Sequence, residues 1–73
     1  MTGAQRNPQP QRYEVRVHGH LGPTMMSAFP TLQAELQDGD TLLRGVLPDQ
    51  SALHGVLAEI EALGLELLEL RRL

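Results

Sequence analysis

The sequence predicts an α+β sandwich, a four-stranded antiparallel sheet with two helices on one face, and three observations carry that prediction. Residues 12–21 and 31–37 alternate apolar and polar side chains, the period of a half-buried strand. Between Asp49 and Gly64 the apolar residues recur at helical spacing instead. Turn chemistry at Gly22-Pro23, Asp38-Gly39-Asp40 and Gly64 separates these stretches.

Taken in order, the first strand places Tyr13, Val15, Val17, Gly19 and Leu21 on one side and Arg12, Glu14, Arg16, His18 and His20 on the other. Gly22-Pro23 breaks it, and Pro23 suits the first turn of a helix, where its missing N–H would have no partner anyway. A short helix through Thr24 and Phe29 follows, limited to about two turns because Pro30 disfavours helical geometry at Phe29. The strand at 31–37 turns Leu32, Ala34 and Leu36 inward, and the turn after it joins an extended segment at 42–47 into a hairpin. Asp49 is a good N-cap for a second helix, whose stripe is Leu53, Val56, Leu57, Ile60 and Leu63. Gly64 suits a left-handed stop, with Leu65 supplying the accompanying apolar contact.

Residues 65–73 then read as a last strand. The rival is one helix over 50–73 with a leucine seam, favoured by intrinsic propensity but opposed by Gly64, which costs about 1 kcal/mol in a helix interior. The resulting order, strand-helix-strand-strand-helix-strand, is the ferredoxin-like arrangement, with the first and third strands central. Its open face should carry Glu14, Arg16, His18 and His20, then Leu42, Arg44 and Val46, then Leu68 and Leu70 or Leu67 according to register. Aliphatic side chains there are costly to leave wet, so the expected interface of a homodimer comprises Arg16, His18, His20, Leu42, Arg44, Val46, Leu68 and Leu70, or else uses a sheet edge.

Composition narrows the function classes. Seventy-three residues make one small domain, expected over 12–73, with residues 1–11 a polar, disordered tail. Six arginines stand against nine acidic residues, a net charge of −3, which argues against nucleic-acid binding. With no cysteine there is no disulfide framework and no thiolate zinc site. The absence of an apolar run of roughly 20 residues and of a signal-peptide pattern leads us to expect no membrane partner and a cytoplasmic location.

The runs Tyr13-Glu14-Val15-Arg16-Val17-His18-Gly19, Leu47-Pro48-Asp49-Gln50-Ser51-Ala52-Leu53-His54-Gly55-Val56-Leu57 and Leu63-Gly64-Leu65-Glu66-Leu67-Leu68-Glu69 together resemble short proteins of high-GC actinobacteria that have no assigned activity. The lack of lysine fits such a genome. The resemblance implies a bacterial, cytoplasmic, independently folding domain and brings no catalytic residue with it.

Of the chemically useful side chains, His18 and His20 stand two apart on the first strand and could share a divalent metal, with a second subunit completing four nitrogens. Two imidazoles alone are incomplete for zinc, and a solvated position on the open sheet face is the better explanation of both. His54 falls beside the helical stripe, a surface position, and Met25, Met26 and Phe29 read as core before they read as a pocket. No phosphate-binding glycine loop is present, the aromatic residues an RNA-binding sheet would need beside Arg16 and Arg44 are missing, and Ser27 and Ser51 lack a nucleophile setting. The acidic pairs Asp38/Asp40 and Glu59/Glu61 read as a turn and a solvated helix face. Two readings follow: a non-catalytic, homodimeric interaction or regulatory module, or a small-ligand or divalent-metal site built on His18 and His20.

Overall fold

A computed structural model describes residues 10–73. The elements are β1 (Gln11–His18), α1 (Pro23–Met26), β2 (Gln33–Gln37), β3 (Asp40–Leu47), α2 (Gln50–Ala62) and β4 (Leu67–Arg72). The four strands form one antiparallel sheet in the order β2-β3-β1-β4. The tail expected over residues 1–11 falls outside the described residues except for Pro10 and Gln11. Gln11 belongs to the sheet, where it opens β1 opposite Leu47.

Residues paired across adjacent strands share a face, so the β1–β3 register sorts the sheet. Tyr13 stands opposite Gly45, Val15 opposite Leu43 and Val17 opposite Thr41, and all of these face the helices. Val15, Val17, Leu43, Leu21, Phe29 and Ile60 form the buried core, with Met25, Met26, Val56, Leu57 and Leu63 packed against it. Tyr13, Leu47 and Leu53 close the end of the same layer. The stripe expected on the second helix thus does meet the sheet, with Leu53 and Ile60 its most buried members.

Local chemistry sets the boundaries of α2 and of the hairpin. The Asp49 carboxylate accepts from the Ala52 N–H at 2.9 Å, capping the helix start. At the other end Gly64 takes φ +74, the Leu65 N–H donates to the Ile60 carbonyl and the Gly64 N–H to the Glu61 carbonyl, both at 3.0 Å. This pair of bonds is a Schellman motif, which ends the helix and frees the next residues for β4. Asp38 and Gly39 both have positive φ, 51° and 82°, matching the twist of a two-residue hairpin between Gln37 and Asp40.

Four elements are shorter than the sequence predicts: β4 keeps only Leu67–Arg72 of residues 65–73, and α1, β2 and β1 are also cut back. α1 is a single turn, continued only by i to i+3 bonds from Ala28 to Met25 and from Phe29 to Met26. β2 starts at Gln33, two residues late, and all five of its residues are exposed because the helices do not reach over it. β1 stops at His18 because Gly19 takes φ +84 and the chain is caught by Thr41. The Thr41 hydroxyl, wholly buried, donates to the Gly19 carbonyl at 2.7 Å and accepts from the Leu21 N–H at 3.1 Å. A buried hydroxyl with both roles satisfied redirects the backbone without a desolvation cost.

Gly45 fills a requirement of close approach. A Cβ there would meet Leu32 Cδ2 at 2.7 Å and the Thr31 carbonyl oxygen at 2.8 Å, so the segment before β2 lies directly on β3 at this position.

Candidate functional site

The open face of the sheet is an ordered set of ion pairs. Arg44 on β3 donates from Nε to Glu14 Oε2 on β1 at 2.7 Å and from Nη1 to Glu35 Oε1 on β2 at 2.6 Å. Arg71 on β4 brings Nη1 to 3.6 Å from Glu14 Oε1. A row of alternating sign, Glu35–Arg44–Glu14–Arg71, therefore crosses all four strands. A second row links Arg16 Nε to Asp40 Oδ2 at 3.1 Å, with His18 Nδ1 3.6 Å from the other Asp40 oxygen. The hydrogen bond to Glu14, opposed by partial desolvation and reinforced by the charge of Glu35, raises the Arg44 pKa above its usual value. Arg44 is therefore a fixed cation at every relevant pH.

These rows decide where the expected interface residues sit. Leu42 is on the open face but is only 4% exposed. Arg16 and Glu35 stand directly opposite it, Asp40 and Arg44 flank it along β3, and their stems shelter it. It offers a partner no free apolar surface. Val46, opposite Arg12, is the exposed aliphatic residue of β3, at 50%. Beside it a shallow groove of about 380 Å3, lined by Arg12, Thr31, Gln33, Arg44, Gly45 and Val46, lies where β2 falls short of the end of β3.

Register corrects the expected place of Leu70. It pairs with Val15 and so lies on the helix side of β4, while Glu69 and Arg71 take the open face. Between Arg16 and Val17 the ladder shifts by one residue, leaving Leu68 as the extra residue of a bulge. All six residues of β4 are exposed, among them Leu67, Leu68 and Leu70. Neither β2 nor β4 has a further strand beside it among the described residues.

The histidines are not related as expected. His18 is the last residue of β1, and Gly19 interrupts the period of two before exposed His20. Among the described residues no group of three or more histidine, aspartate or glutamate side chains is placed to hold a metal ion. His54 is exposed on α2. Met25, Met26 and Phe29 pack into the core. No helix is long and apolar enough to cross a membrane.

Glu35, Asp40 and Arg71 are the members of the rows that the sequence did not single out. Alternation along β2 put Glu35 outward, but Asp40 was absorbed into the turn, and Arg71 was indistinct without the register of β4.

An antiparallel four-stranded sheet with helices over one face makes this a small α+β domain. Residues 12–71 match the model of a domain of unknown function, DUF8691, and the chain belongs to that family. Comparison with curated proteins and with solved structures finds no match.

Proposed function

We propose that this chain is a small non-catalytic interaction module of ferredoxin-like architecture, acting as a homodimer joined through the β4 edge of its sheet. The architecture is supported by the element order β-α-β-β-α-β and by the central position of β1 and β3. The quoted runs that resemble actinobacterial proteins, together with the exclusive use of arginine as the basic residue, support an origin in such a genome.

The observation that carries the functional reading is the β4 edge. Six consecutive exposed residues, three of them leucine, present unpaired backbone groups beside apolar side chains. Such an edge is a template for another strand. The open face is the poorer seam, since burying its paired charges would cost their hydration. Pairing short strands lies at the low end of interface size, so association should depend on concentration. Light scattering over a concentration series tests the reading. A mass rising from 8.1 kDa toward twice that value supports it. A constant 8.1 kDa up to about 1 mM, where even weak specific contacts register, overturns it.

A further inference from the structure

We propose that β4 pairs antiparallel with β4 of a second copy about a two-fold axis at Leu70, so that Glu69 of each copy stands opposite Arg71 of the other. This register rests on the homodimer reading and adds what makes the edge select itself.

The hydrogen-bonding phase of β4 comes first. The Leu73 N–H donates to the Arg12 carbonyl at 2.8 Å, which makes Arg12 and Leu73 a hydrogen-bonded pair. Bonded and non-bonded pairs alternate along an antiparallel ladder. Glu14–Arg71 and Arg16–Glu69 are then bonded pairs, and the backbone groups of Leu70 and Arg72 point away from β1. With the axis at Leu70, that residue exchanges both of its free backbone bonds with its own copy. Glu69 and the partner's Arg71 then fall at the intervening non-bonded positions, where side chains approach most closely.

Other registers are worse. An axis at Glu69 or Arg71 leaves the free backbone groups usable but sets a charge directly against itself. An axis at Arg72 places Arg72 opposite Arg72, and one at Leu68 carries Arg71 past the end of the partner's strand. Like charges directly opposite are destabilising. Only the Leu70 axis satisfies both opposed charges. It also lengthens an existing pattern: the row Glu35–Arg44–Glu14–Arg71 continues with the partner's Glu69 across the seam. The opposite edge cannot do this, because β2, with the sequence Gln-Ala-Glu-Leu-Gln, carries an acidic residue and no cation.

The test uses E69R and R71E in the full chain. Each should remain monomeric where the parent dimerises, because the first sets an arginine against the partner's Arg71 and the second sets a glutamate against the partner's Glu69. Mixed in equal amounts, the two variants should form a heterodimer by sedimentation velocity, a recovery that requires both to be folded. E69Q, which adds no charge beside Arg16, should weaken self-association about fivefold, as expected for two cross-strand pairs. If the parent dimerises and the single variants dimerise equally well, or if the mixture stays monomeric, the register is overturned while the homodimer reading stands. If the parent is monomeric throughout, both fall together.

Discussion

On the face covered by the helices, Val15, Val17, Leu43, Phe29 and Ile60 are packed out of water, whereas on the opposite face Leu42 is sheltered only by charged side chains that are half in solvent. The first arrangement draws on apolar burial and close packing, each side chain worth about 1.5–3 kcal/mol. The second draws on ion pairs that contribute on the order of 0–1 kcal/mol each and are screened by salt. The difference assigns most of the stability to the helix-covered face.

Leu43→Ala should separate the two most sharply. The side chain is 1% exposed in the core, and its loss should cost about 3 kcal/mol or more, a large part of what so small a domain has. Urea unfolding should show a midpoint close to zero denaturant. Gly45→Ala comes next, since the new methyl group collides with Leu32 and with the Thr31 backbone. We expect a loss of about 2 kcal/mol and a clearly lower melting temperature.

Leu42→Ala bears on the comparison itself. Its neighbours on the open face are long and adaptable, so the site can collapse and the cost should be only about 2 kcal/mol. A loss equal to that of Leu43→Ala in the same urea experiment would mean that the charged face is packed as a second core. Glu35→Gln should be the mildest. It removes the exposed end of the first row and should cost less than about 0.5 kcal/mol, a difference that about 1 M NaCl erases.

Features ruled by local chemistry were legible in the sequence. The Asp49 cap, the Gly64 stop and the Asp38-Gly39 turn each depend on a few adjacent residues, and each occurs where the sequence puts it. What escaped depends on residues far apart in the chain. β1 ends at His18 through Thr41, more than twenty residues later, and so the paired histidines expected on one strand face are separated by a left-handed glycine. Alternation could place charges on the open face, but the four-strand row exists only once the register is known. The bulge at Leu68 decides the orientation of Leu70, and nothing in a run of leucines and glutamates announces it.

The central position of β1 also has a kinetic side. Its two neighbours in the sheet, β3 and β4, come after it in the chain, the second of them almost sixty residues later. A strand that must wait for distant partners folds slowly and is exposed to aggregation meanwhile. β1 interleaves Arg12, Glu14 and Arg16 with Tyr13, Val15 and Val17, so the segment left waiting longest carries a charge at every second position. Those charges act as gatekeepers during folding, before Glu14 and Arg16 take their places in the rows of the finished sheet.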